Sequence, residues 1–276
     1  MAKPAALSPL AIYGMGRFGN ALAGALRAAG KPPARTGGRD PGPAALLHKL
    51  KPGTIIMLSV RDDALAQVAA EFARLPGCKR FAFVHACGAW GPELLQPLAK
   101  AGAKTGAFHI LQSFPPQGGA SRVAGSWCCL AGPKPLLAKL RSLALALQTH
   151  PLELPDSARP AYHAAAVLAS NALVAILAQS RDLLLDAGLE PEAAGAMLIP
   201  LVMGTLQNVA ELGPEKALTG PVARGDYMTL RRHLKAMNRS QALAYRKLMV
   251  LTTAFAEKSR RITHSQARAL RAVLFD

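Results

Sequence analysis

A short apolar run, Ala11 to Tyr13, leads directly into three glycines at fixed spacing and then into an alanine-rich stretch, NALAGALRAAG. The glycines stand in Gly14-Met15-Gly16-Arg17-Phe18-Gly19, which fits G-x-G-x-x-G. Alone, the pattern is weak. A strand before it and a helix after it give it physical meaning. Gly14 permits a tight strand-to-helix turn, Gly16 lets a phosphate approach the backbone, and Gly19 lets helix and strand pack closely. The helix N-terminus then faces the anion.

The chain beyond repeats this alternation. Thr54–Val60, Arg80–His85, Ala107–Leu111 and Trp127–Ala131 read as buried strands. Helical segments separate them: Asp62 or Asp63 is placed to cap the one carrying Ala64–Leu75, Glu93–Ala101 follows, and Pro133–Leu147 comes last. Strand and helix in alternation predict a parallel sheet with helices on both faces. After Pro155 only helical patterns remain: Ala161–Ala187, Glu190–Leu212, Thr229–Ala256 and Ser265–Phe275. The stretch PLELPDSARP, rich in Pro and charge, reads as a linker. The expectation is therefore an α/β Rossmann domain at 1–155, with a mostly parallel sheet, and an all-α domain at 156–276.

The most membrane-like segment, Ala161–Ala178, contains His163, Ser170 and Asn171, so a buried soluble helix is expected rather than a span. The opening MAKPAALSPLAIYG lacks the apolar run of an export signal, which predicts a cytoplasmic protein. Four cysteines in 276 residues form no disulfide framework, and none has zinc spacing.

The formal net charge is +17. It is uneven: +13 over residues 1–150, −5 over 151–223 and +9 over 224–276. Its basic residues are scattered and few aromatics lie among them, which argues against a nucleic-acid module. A dinucleotide is the better polyanion. The end of the second strand, Pro33-Ala34-Arg35-Thr36-Gly37-Gly38-Arg39, has no acid before Asp40 to hold a ribose hydroxyl. Arg35, Thr36 and Arg39 suit a 2′-phosphate instead, which predicts NADP(H) over NAD.

The segments IYGMGRFGNAL, LSVRDDAL, HACGAWGPELL, GAFHILQSFP, YHAAAVLASNALVAI and ALTGPVARGD, with His233 after the last, resemble a family of Rossmann-fold proteins with a helical C-terminal domain of unknown function. These are usually described as NADP-dependent oxidoreductases without an assigned substrate. More distantly the chain resembles pyrroline-5-carboxylate reductase and the 3-hydroxyisobutyrate and 6-phosphogluconate dehydrogenases. The resemblance implies a C-terminal domain of the 6-phosphogluconate-dehydrogenase type that dimerises. The family commonly has Ser where this chain has Cys87, and His-Pro where it has His109-Ile110.

The related dehydrogenases use a Lys on the first helix of the second domain. Here no Lys lies between Lys139 and Lys216, so a Lys mechanism from that helix is excluded. The helix offers His163, Ser170 and Asn171. On an ideal helix Ser170 lies about 20° from His163 and Asn171 about 80°, so all three can face one cleft. The expected catalytic set is His163, Asn171 and His109, with His163 as proton donor. Expected cofactor contacts are Gly14, Met15, Gly16, Arg17, Phe18, Gly19, Arg35, Thr36, Arg39, Ser59, Val60, Arg61, His85 and Cys87. Expected substrate contacts are Gln112, Ser113, Ser170, Arg224 and Asp226, with Arg224 facing a carboxylate and Asp226 orienting it or capping the next helix. No metal is expected. The leading function is an NADP-dependent oxidoreductase of a small oxo, imino or hydroxy acid. The alternative is a non-catalytic NADP-binding sensor or scaffold.

Overall fold

The computed structural model describes residues 7–40 and 42–275. The leader reading rests partly on residues 1–6, which lie outside them. The chain divides into two compact units, with the division after Ser170.

The first unit is built on seven strands: β1 (Leu10–Tyr13), β2 (Arg35–Gly37), β3 (Ile55–Leu58), β4 (Ala82–His85), β5 (Lys104–Ile110), β6 (Trp127–Ala131) and β7 (His150–Glu153). Their order in the sheet is β2-β1-β3-β4-β5-β6-β7. All neighbours pair in parallel except β5 and β6, which are antiparallel. Five helices accompany the sheet: α1 (Arg17–Ala28), α2 (Gly42–His48), α3 (Asp62–Ala73), α4 (Gln96–Lys100) and α5 (Lys134–Ala146). The chain leaves β1 in one direction to β2 and resumes on its other side at β3. That reversal opens a crevice at the carboxyl ends of the strands, where ligands bind in such sheets.

Strand alternation sorts the core onto two faces. Leu10, Ile12, Met57, Val84 and Phe108 pack with Leu22 and Leu26 of α1 and Leu136 and Leu140 of α5. Ala11, Tyr13, Ile56, Leu58 and Phe83 pack with Leu46 of α2, Leu65 and Phe72 of α3 and Leu98 of α4. Truncating a fully buried leucine such as Leu22 or Leu65 to alanine costs about 2–5 kcal/mol.

Three details differ from expectation. The stretch read as a linker contains β7, because Leu152 pairs with Cys129 and Pro151 with Cys128 on the edge of the sheet. The helix after it begins inside the first unit: α6 (Arg159–Val167) passes through a π-helical turn at Leu168–Ala172 into α7 (Leu173–Asp186). Neither Asp62 nor Asp63 caps α3; both lie in its first turn behind Arg61 at the N-cap, where they suit the helix dipole.

The second unit continues with α8 (Pro191–Ala196), α9 (Leu198–Leu212), α10 (Pro214–Ala217), α11 (Gly220–Ala223), α12 (Tyr227–Lys235), α13 (Arg239–Lys258) and α14 (His264–Phe275). The expected single helix over Thr229–Ala256 is two helices. Asn238 breaks it, forming a capping box with Gln241 at the start of α13. The core of this unit is Val222, Leu230, Ala256, Ile262, Leu270, Val273 and Leu274.

The expectation that Ala161–Ala178 is buried does not hold within one chain. No residue of α7 or α9 is buried. Leu168, Val174, Leu201 and Met203 are each more than 60% exposed. By length and composition, the segments Asp156–Asp186 and Pro191–Leu212 are also apolar enough to cross a membrane.

Candidate active site

The glycine turn forms as its spacing demands. Gly14 has φ +101°, and a Cβ there would stand 2.3 Å from the Ser59 carbonyl oxygen. A Cβ on Gly19 would stand 2.1 Å from the Gly14 carbonyl oxygen, so helix and strand are in backbone contact. Gly16 is different: nothing lies within 4 Å of where its Cβ would be. Gly16 is also the N-cap of α1, and no side chain caps that end. An open N-terminus with free N–H groups is a phosphate site in waiting. Asn20 braces the turn by donating from Nδ2 to the Met15 carbonyl oxygen at 2.7 Å.

A cleft of about 590 Å³ opens over this turn. Gly14, Gly16, Arg17, Phe18, Ser59, Val60, Arg61, His109 and Gln112 line it, together with Asp62 and Phe114. Phe114 packs edge-on against Phe18 with ring centroids 5.8 Å apart. Beyond the end of β2 stands Arg39, exposed, while Arg35 begins that strand at the level of Ala11, two residues short of the crevice edge.

Two expected cofactor contacts lie beneath the cleft surface. His85 is fully buried. Its Nδ1 accepts from the Cys87 N–H at 3.2 Å and its Nε2 donates to the Gly91 carbonyl oxygen at 2.8 Å. Both nitrogens thus hold the 85–91 loop. The Cys87 thiol donates to Asp62 Oδ2 at 3.0 Å, and burial with that carboxylate pushes its pKa up to about 11. It stays a thiol at neutral pH and is no nucleophile.

The end wall of the cleft is histidine. His109 Nδ1 lies 2.9 Å from the Tyr162 hydroxyl of α6, and the two rings meet edge-on. The His163 ring stands 6.1 Å from that of His109, centroid to centroid. Burial first, then His163 and buried Arg159, hold the His109 pKa down to about 4. His109 is therefore neutral at pH 7. Burial also raises the Tyr162 pKa, so its hydroxyl remains a proton-bearing donor. That donor needs an acceptor, and His109 Nδ1 is its partner.

Arg159 lies behind this wall and is fully buried. Its Nε donates to Asp156 Oδ1 at 3.2 Å and its Nη1 to the Trp90 carbonyl oxygen at 3.4 Å. Its Nη2 and the Nδ1 of His163 are buried without partners among the described residues. Sequence reasoning missed Arg159, Tyr162 and Phe114. Arg159 and Tyr162 sit in a stretch assigned to a linker and its following helix, where His163, Ser170 and Asn171 drew the notice.

The remaining predicted residues are placed as follows. Gln112 lines the cleft, yet its amide reaches the Ser126 hydroxyl at 3.3 Å and receives the Ser113 N–H at 2.8 Å, which stabilises its own loop. Ser113 offers its carbonyl oxygen to Arg122 at 3.1 Å. Ser170 closes the first unit inside the π turn, and Asn171 opens the second. The π turn alters the phase that an ideal helix assigns to both. Asp226 caps α12, accepting from the Thr229 N–H at 3.0 Å and its hydroxyl at 2.6 Å. Arg224 precedes it, with its carbonyl oxygen 3.4 Å from Gln266 Nε2. No cluster of metal-ligating side chains occurs among the described residues.

Residues 126–252 match the family described as Domain of unknown function (DUF2520). No curated protein matches the chain. Solved structures share the fold along nearly the whole length. Protein TM1727 from Thermotoga maritima is 23% identical, with 91% of this chain and 99% of that one covered and a TM-score of 0.68. A candidate NADP oxidoreductase, BF3122 from Bacteroides fragilis, is 19% identical, with 96% and 98% covered and a TM-score of 0.69. Pyrroline carboxylate reductase from Plasmodium falciparum, solved with NADP bound, is 13% identical, with 96% and 98% covered and a TM-score of 0.56. The likeness is one of fold: a Rossmann unit followed by helices.

Proposed function

We propose that the chain is an NADP(H)-dependent oxidoreductase acting on a small oxo, imino or hydroxy acid. One observation carries this reading: the uncapped α1 N-terminus at open Gly16 shares a single cleft with His109. The glycine turn and helix end would hold the pyrophosphate, and Arg39, beyond β2, would meet the 2′-phosphate. NADP-bound and NADP-named neighbours of the same fold support the choice of cofactor. When bound, the reduced nicotinamide supplies a hydride. The chain's own residues orient the substrate, exclude water and move a proton, with His109 and His163 nearest that task.

The second unit would pair with a second copy of this chain. Val174 and Ile176 of α7 and Ile199, Leu201, Met203 and Leu206 of α9 are exposed, a run of apolar side chains of the kind that marks a protein contact. Polar residues along the same helices, including Asn171, Gln179 and Arg181, suit a protein partner better than lipid. Among the described residues the four cysteines are all free, in keeping with a reducing, cytoplasmic compartment.

Calorimetric titration with NADPH and NADH tests the cofactor. NADPH should bind at least tenfold tighter, and Arg39→Ala should erase the difference. Equal or tighter binding of NADH overturns the assignment. NADPH binding without turnover across a panel of oxo, imino and hydroxy acids would favour a sensor.

A further inference from the structure

Among the described residues Asp62 is the one acid on the wall of the cleft, where it is exposed. Its Oδ2 receives the Cys87 thiol at 3.0 Å, and its Oδ1 accepts no hydrogen bond from any described residue. Arg61 beside it is taken by Asp63 at 2.8 Å, and no ion pair reaches Asp62 among the described residues. The charge of Asp62 favours protonation of His85 and His109, so the carboxylate stands on the side of β4 and β5. Cys87, only 3% exposed, holds it from beneath. Burial keeps that thiol protonated at neutral pH, and hence a donor.

The crevice is thus polarised. Arg17 stands on the glycine turn and Arg39 beyond β2, whereas past β3 the wall turns acidic. NADP carries the matching polarity. Its adenosine half bears the 2′-phosphate. Its nicotinamide half bears no phosphate beyond the shared pyrophosphate, and its ribose offers two adjacent hydroxyl donors. With the pyrophosphate on the turn after β1, the phosphorylated half would lie over β2 and the nicotinamide half over β3 and β4. A carboxylate there repels no phosphate and can accept charge-assisted hydrogen bonds. We infer that Asp62 receives the nicotinamide-side ribose hydroxyls of the dinucleotide, and that Cys87 is a positioning residue that sets the carboxylate for them. The inference rests on the NADP(H) reading and assigns the half of the cofactor that the arginines leave unheld. The acid missing after β2, where it would meet a 2′-phosphate, stands after β3, where it meets a diol.

Calorimetric titration of the full chain with NADP+ and with 2′,5′-ADP, which lacks the nicotinamide ribose, tests this. Asp62→Ala should weaken NADP+ about tenfold or more and leave 2′,5′-ADP within about twofold of wild type. Should that variant fold poorly, Asp62→Asn removes the charge at nearly constant shape and should also weaken NADP+ selectively. Cys87→Ala should weaken NADP+ about threefold with 2′,5′-ADP unchanged, and Cys87→Ser, whose hydroxyl still donates, should restore it. Weakening of both ligands alike, or of neither, at Asp62 overturns the ribose contact. A loss in Cys87→Ser as deep as in Cys87→Ala, or none in either, overturns the positioning role. A wild type that binds neither ligand overturns the NADP(H) reading itself, and this assignment with it.

Discussion

The hydroxyl of Tyr162 on α6 is hydrogen-bonded to Nδ1 of His109 at the end of β5, across 2.9 Å and 53 residues of sequence. This one contact, with the edge-on meeting of the two rings, fixes how the His109 imidazole is turned. Tyr162→Phe should therefore lower kcat about tenfold or more, with KM for NADPH unchanged, because the imidazole then loses the partner that orients it. A loss confined to Tm, with kcat intact, would reduce Tyr162 to packing.

His109 also sets a pH dependence. Its folded pKa is about 4 against an ordinary value of 6.5. Between these values the unfolded chain binds the proton and the folded one does not, so stability is highest above pH 6.5 and falls as pH drops towards 4. His85, lowered by burial, acts with the same sign. Urea unfolding midpoints measured from pH 4 to 8 should rise with pH in that window. His109→Gln should flatten the rise, and an unchanged slope would contradict the assignment.

The glycines of the first turn separate folding from binding. Gly19→Ala places a methyl against the Gly14 carbonyl and should cost about 3 kcal/mol of stability. Gly16→Ala meets nothing within 4 Å and should leave Tm within a degree or two, while weakening NADPH at least tenfold. Thermal unfolding and cofactor titration on both variants distinguish the two effects. Equal loss of Tm in both would remove the distinction.

The bare face of α7 and α9 predicts a dimer. Light scattering should give twice the chain mass, and Leu201→Asp should give a monomer that still binds NADPH through the first unit. A monomeric wild type would refute this, and recovery only in detergent would point to lipid.

Much of this architecture is legible in the chain. The strands β1, β3, β4, β5 and β6 announce themselves as apolar runs, and the glycine spacing locates the cleft. Interior strands of a parallel sheet are buried on both faces, which makes them conspicuous. The edge strand β7 was not, because Pro151 and Glu153 mask it. The histidine wall was half visible. His109 and His163 stand out by type, but the buried guanidinium of Arg159 and the hydroxyl of Tyr162 carry no local signature. Their meaning comes from contacts 50 to 75 residues away in sequence. The burial expected for Ala161–Ala178 fails within one chain because an apolar helix looks the same in sequence whether its own chain or a neighbour covers it.

The antiparallel pairing of β5 with β6 bears on how this chain can be cut and recombined. The stretch matched to the DUF2520 family begins at Ser126, just ahead of β6, and ends at Thr252, inside α13. Excised at those points it would carry β6 and β7 away from β5 and leave α13 without α14. The recurring segment and the folding unit are not the same object here. Gene fusions, truncations and domain swaps cut at the family limits would expose raw sheet edge and half a helical core.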